Sequence, residues 1–195
     1  MPHADSSLVP EEVKTKSQFW SHVYTQLEPL LDGQRNWVSN LANTSSLIYN
    51  ALLAFPAHFG SEPEKAVNWC GFYIDSHRFP RSGTELHIKD ERLLLGPFCG
   101  KPACQFINVT PGRSRGVCAD AFMHAETKLV ADVESYPGHI ACDGETKSEI
   151  VCPLISGDQV VGVLDLDCLA MGGFDDEDRE GLERIAALVV KACDW

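Results

Sequence analysis

Apolar positions along the chain follow two periods. From residue 17 the spacing is helical: Phe19, Trp20, Val23, Leu27, Leu30 and Leu31 fall on one face, and Asp32-Gly33 closes the segment. A second helix is predicted from about 36 to 55. Trp37, Leu41, Ile48 and Leu52 recur along it, and Pro56 stops it. The pattern then turns strand-like. Residues 67–74 are rich in aromatic and β-branched side chains. A polar turn over 76–84 leads to a second, interrupted strand over 85–95. Short strands follow at 105–109 and 128–133. Between them a basic loop, residues 111–116, precedes a short helix at 117–124.

Residues 149–155 and 159–166 face each other across Ser156-Gly157-Asp158, which reads as a three-residue hairpin loop. The last helix opens on Asp175, Asp176, Glu177 and Asp178, acids that suit a helix N-terminus. Its apolar face is Leu182, Ile185, Ala186, Val189 and Val190. Helices at the ends with antiparallel strands between them predict an α+β domain over residues 17–195. Residues 1–16 are polar and acidic and read as a disordered arm.

Composition narrows the function. Of 195 residues, 28 are acidic and 16 basic, a formal net charge of -12. Phosphate backbones need a basic footprint, so nucleic acid is disfavoured, and so is an anionic membrane surface. The apolar runs are too short to span a bilayer. Eight cysteines are many for this length. No apolar signal segment opens the chain, so the reading is a reducing, cytoplasmic setting with mostly free thiols, not a secreted disulfide framework.

Three of the cysteines sit in turn-like, glycine- or proline-flanked stretches. Cys104 follows Lys101 and Pro102. Cys118 follows Arg113 and Arg115 at a predicted helix start. Cys142 lies three residues after His139. An exposed thiol beside a positive group is the setting that lowers a thiol pKa and makes it nucleophilic. Cys70, Cys152, Cys168 and Cys193 lie in or beside apolar segments and read as small core hydrophobes. Structural zinc favours close Cys-x-x-Cys pairs, which the chain lacks. No metal or cofactor is expected.

A carboxylate group accompanies the thiols. Asp165 and Asp167 alternate on one strand and therefore share a face. Glu149 heads the partner strand, and a three-residue loop centred on Gly157 sets it opposite Asp165. Three converging acids repel, so at least one should hold its proton unusually tightly. Trp69 and Tyr73 share a face of the first strand and are placed to wall an apolar pocket, with Tyr136 at its edge.

Taken in order, Asn68-Trp-Cys-Gly-Phe-Tyr73, Leu95-Gly-Pro-Phe98, Gly100-Lys-Pro-Ala-Cys104, Arg115-Gly-Val-Cys118, Pro137-Gly-His-Ile-Ala-Cys-Asp143, Ser148-Glu-Ile-Val151, Gly162-Val-Leu-Asp-Leu-Asp167 and Phe174-Asp-Asp-Glu-Asp178 resemble the free methionine-(R)-sulfoxide reductases. These are built on a GAF domain. The resemblance spans roughly residues 20–190. It implies a central antiparallel sheet of about six strands flanked by N- and C-terminal helices. It also implies reduction of free methionine (R)-sulfoxide to methionine, with thioredoxin as reductant and a dimer as the form that suits the family. Cys142 matches the position usually assigned as nucleophile, although the family is not uniform between that position and Cys118. Cys104 and Cys118 match the family's other two thiols, with either one open as the resolving thiol. Glu149, Asp165 and Asp167 match the acids that hold the substrate's ammonium and sulfoxide oxygen, and Trp69 and Tyr73 match its aromatic walls. Residues 108–115 form a longer loop than the family's usual one, and Ala119-Asp-Ala121 stands where the family carries Gly-Thr-Ala. The rival readings are a GAF module that only binds a small ligand and a thiol redox sensor.

Overall fold

The computed structural model describes residues 5, 8–80, 91–139 and 143–195. Cys142 lies outside them. So do residues 81–90, which hold the first half of the second predicted strand.

Helix α1 (Lys16–Leu31) begins at a capping box. Thr15 accepts from the Gln18 backbone N–H, and the Gln18 side chain accepts from the Thr15 backbone in return. Helix α2 (Trp37–Leu53) is capped by Asn36, whose Oδ1 accepts from the Ser39 backbone. The strands β1 (Val67–Asp75), β2 (Arg92–Gly100) and β3 (Phe106–Asn108) follow. Next come the short helix α3 (Val117–His124), then β4 (Lys128–Val130), β5 (Ser148–Ser156), β6 (Gln159–Cys168) and helix α4 (Asp176–Ala192). Among the described residues the strands make one antiparallel sheet in the order β3-β2-β1-β6-β5-β4.

Alternation along the strands divides the interior in two. Cys70, Phe72 and Ile74 of β1, Ile150, Cys152 and Leu154 of β5, and Leu164, Leu166 and Cys168 of β6 face α1, α2 and α4. Val9 and Val13, upstream of α1, lie partly buried against this core. The opposite face carries Trp69, Tyr73, Val151 and Val163, and α3 covers it with Val117, Cys118, Ala119 and Ala121.

Helices α1 and α4 are joined by a buried polar knot. Lys16 Nζ lies 2.5 Å from Asp178 and 2.9 Å from Asp175, and the Trp20 indole N–H donates to Asp178 at 2.8 Å. A buried carboxylate is stable only when neutralised and hydrogen-bonded. Here one helix supplies the carboxylate and the other its partners.

Two sequence expectations change. The second strand does not end at 95, and its predicted stretch 85–90 lies outside the described residues. It runs Arg92–Gly100, through Gly96 and Pro97, with a register irregularity where it passes Gly71 and Tyr73 of β1. The hairpin loop is not three residues long. Ser156 pairs with Gln159, leaving Gly157 and Asp158 as a two-residue turn, and Gly157 has φ +61°, the positive value a type II′ turn places at its first central position. A second irregularity follows between Leu154 and Ile155. Glu149 is therefore paired with Asp167, and Asp165 with Val151. The shift is two residues, so every side chain keeps the face that alternation assigns it.

Candidate functional site

The acid face of β5 and β6 meets the aromatic face of β1 beneath the start of α3. Gly71 pairs with Asp165 and Trp69 with Asp167 on one side of β6, and Glu149 pairs with Asp167 on the other. Glu149, Asp165, Asp167, Trp69, Tyr73, Cys104 and Cys118 all line one cavity of about 230 Å³.

The aromatic wall is a stack of three. The Trp69 ring lies 5.8 Å from Tyr73 and 5.5 Å from Phe98, with interplanar angles of 22° and 16°. Gly71 makes room for it. A Cβ there would stand 2.6 Å from Trp69 Cη2 and 2.9 Å from Phe98 Cα. The Tyr73 hydroxyl donates to the Cys104 carbonyl at 3.0 Å, tying the wall to the cysteine loop.

Cys118 differs from its expected setting. It is buried, not exposed, and its Sγ faces Asp165 Oδ2 at 3.3 Å and Glu149 Oε1 at 3.8 Å. Burial first, and then the charges of Asp165 and Glu149, push the thiol well above its ordinary pKa. The arginines before it and the helix N-terminus favour a thiolate, but the apolar contacts of α3 and the acids beneath it outweigh them. Cys104 is half-buried and disulfide-bonded. Cys70, Cys152 and Cys168 are free thiols fully buried on the far face of the sheet.

The acids carry the electrostatic tension of the cavity. Burial, with the charges of Glu149 and Asp167, raises Asp165 well above the usual carboxylate range. Asp167 is raised too, by burial and then by Glu149 and Asp143. Asp165 Oδ1 and the Trp69 indole N–H are buried with no hydrogen-bond partner among the described residues. One is an acceptor and the other a donor, so the wall and floor present unmet bonds of both kinds.

Several residues enter that the sequence reading did not assign. His139 Nε2 stands 3.5 Å from Glu149 Oε2 and lines the cavity. Asn68 Nδ2 donates to Asp143 and to Thr146, both at 3.2 Å. Lys101 reaches across from the Cys104 loop to Asp143 at 3.3 Å and to Glu145. Their signal was adjacency: Lys101, His139 and Asp143 each lie within three residues of Cys104 or Cys142. Tyr136 packs beside the α3 cluster and donates to Asp120 at 2.7 Å.

The GAF domain family matches residues 78–194. The free methionine-R-sulfoxide reductase of Saccharomyces cerevisiae is 44% identical over 179 residues, covering 91% of this chain and 87% of the yeast protein. The Escherichia coli enzyme of the same name is 36% identical over 90% of this chain and 89% of its own length. Among solved structures, the free methionine-R-sulfoxide reductase of Neisseria meningitidis in complex with its substrate is 32% identical. It superposes with a TM-score of 0.73 over 95% of each chain. On this evidence the chain belongs to the free methionine-R-sulfoxide reductase family, on a GAF domain fold.

Proposed function

We propose that this protein reduces free methionine (R)-sulfoxide to methionine. The observation that carries the reading is the convergence of Glu149, Asp165 and Asp167 with Cys104 and Cys118 in one aromatic-walled cavity. The relatives' names supply the substrate. An acid floor suits an α-ammonium group, and the stacked wall suits the methylthio end. A peptide nitrogen carries no charge and continues into a chain, so a closed acid pocket selects the free amino acid.

In the proposed cycle the Cys142 thiolate attacks the sulfoxide sulfur. The sulfoxide oxygen takes up one proton, from Asp165 or Glu149, and transfers to the cysteine sulfur as its bond to the substrate sulfur breaks; the substrate sulfur keeps the electron pair. Methionine leaves, and the oxygen remains on Cys142 as a sulfenic acid. The Cys104 thiol condenses with it, releasing water and forming a disulfide. The engagement of Cys104 in a disulfide supports its role as the resolving thiol. Thioredoxin then reduces the pair by exchange in the cytoplasm, the downhill direction for its potential. Cys118, neutral and buried against two acids, serves in this reading as a reserve thiol, not as the attacking one. A homodimer is the assembly we assign by family.

The test is an assay of both epimers of free methionine sulfoxide with dithiothreitol as reductant, beside an N-acetylated substrate. The R epimer alone should turn over, and Cys142→Ser should abolish it. Equal turnover of the acetylated substrate would remove the ammonium argument. No turnover of either epimer would return the chain to a ligand-binding or redox-sensing module.

A further inference from the structure

The cavity floor holds a set of donor atoms suited to a second kind of cation. We propose that Cys118, Glu149 and Asp165 form a binding site for a zinc-class divalent metal, exclusive with the substrate's ammonium. The metal site stands on the geometry alone; the exclusivity rests on the function proposed above.

One ligand atom from each of the three residues lies within 4.8 Å of the other two, and all three residues are buried. Cys118 Sγ is 3.3 Å from Asp165 Oδ2 and 3.8 Å from Glu149 Oε1. In a tetrahedral site with Zn–S of about 2.3 Å and Zn–O of about 2.0 Å, neighbouring ligand atoms stand roughly 3.5 Å apart. The observed separations bracket that edge. The ligands come from α3, β5 and β6, regular elements that hold them without a loop.

A second observation points the same way. Asp165 is 5% exposed, and its Oδ1 has no partner among the described residues. His139 sits 3.5 Å from the outer oxygen of Glu149, the kind of contact that orients a carboxylate ligand. Asp143 and Asp167 add charge around the floor, while Lys101 is turned to Asp143 and Glu145 at the surface. A dication relieves the repulsion that raises the floor acids. The thiol decides the class of metal. Sulfur with carboxylate oxygens suits zinc and its neighbours, whereas calcium and magnesium want oxygen alone. Binding replaces the Cys118 S–H bond with a sulfur–metal bond and releases the proton to solvent; no electrons move. Three protein ligands leave the fourth position facing the cavity, where the ammonium would otherwise lie.

The experiment uses the full chain in its disulfide form, which removes the Cys104 thiol as a competing ligand. Zinc is titrated by calorimetry, and cobalt serves as the spectroscopic probe. The expected result is one zinc per chain and a thiolate-to-cobalt charge-transfer band in the near ultraviolet. Cys118→Ser should abolish the band and weaken zinc about tenfold or more. Asp165→Asn and Glu149→Gln should weaken zinc similarly, and they carry the test if Cys118→Ser fails to fold. Cys99→Ser should leave binding intact. A band that survives Cys118→Ser, or zinc affinity unchanged in the acid variants, overturns the site. Methionine sulfoxide should lower the apparent zinc affinity, and simultaneous binding overturns the exclusivity. A chain that binds zinc through Cys118 but turns over no sulfoxide keeps the metal site and loses the proposed activity. Turnover without zinc binding does the reverse.

Discussion

Glu149 and Asp167 stand directly opposite each other across β5 and β6, with Asp165 one diagonal step away on the same face. Like charges in such a pair work against the fold. The sheet holds them together because its other face is a continuous apolar core that fixes the register. Stability spent at one face is supplied from the other, and this makes the acids separable from the fold by mutation.

Asp165 should show this first. Its folded-state pKa is raised by burial and by Glu149, so the native state binds that proton more tightly than the unfolded chain does. The group's contribution is full below the ordinary carboxylate pKa. It is lost as pH rises through the raised value, and above that the ionised acid opposes folding. Asp165→Asn is expected to melt higher than the parent at neutral and alkaline pH, by about 1 kcal/mol. The two should converge in acid. Melting curves across pH check this, and a gap independent of pH would sink it.

Cys118 should resist alkylation. Its thiol is buried and neutral at physiological pH, whereas Cys99 is half-exposed. Iodoacetamide should label Cys99 first in the native chain, and the difference should vanish in urea. Peptide mapping by mass spectrometry reads the order. Rapid native labelling of Cys118 would mean that the acids beneath it do not suppress its thiolate.

Gly71→Ala should act on both site and fold. The added methyl meets the Trp69 ring and the Phe98 backbone, so β2 or the indole must move. Overpacking of this kind costs about 1–3 kcal/mol. Urea denaturation should show that loss. Any residual activity should appear with a raised KM, since the stacked wall is displaced.

Lys16→Met tests the knot between α1 and α4. Asp178 has no exposed side-chain surface and relies on Lys16 and the Trp20 indole. Removing the cation strands a buried carboxylate, at about 3–5 kcal/mol. Adding Asp178→Asn should recover part of the loss, which a double-mutant cycle measures. Additive losses would show that the two residues do not act as a pair.

Much of this was legible in the chain, for identifiable reasons. Alternation over 163–167 assigns Asp165 and Asp167 to one face and Leu164 and Leu166 to the other, and the structure agrees. Alternation does not say which acid opposes which. A two-residue turn followed by a strand irregularity displaces the pairing by two positions without changing parity, and the sequence of Ser156-Gly157-Asp158 does not distinguish that from a longer loop. The α3 boundaries follow from local residues, but the burial of Cys118 does not. Its partners lie 31 and 47 residues further along and reach it only through the sheet. The links made by Lys101 and Asn68 were hidden for the same reason: each joins segments about 40 or more residues apart.

The sheet also sorts sulfur. Cys70, Cys152 and Cys168 lie behind it, fully buried among the helices, and burial pushes the Cys152 thiol up to about 12. Cys104 and Cys118 lie in front, around the cavity. A small oxidant admitted to the cavity therefore meets the Cys118 thiol and the Cys104 sulfur and is walled off from the three thiols behind. In the cycle proposed above oxygen passes from sulfur to sulfur, and such an enzyme runs the hazard of oxidising itself. Here one layer of backbone hydrogen bonds insulates Cys70, Cys152 and Cys168 from the cavity.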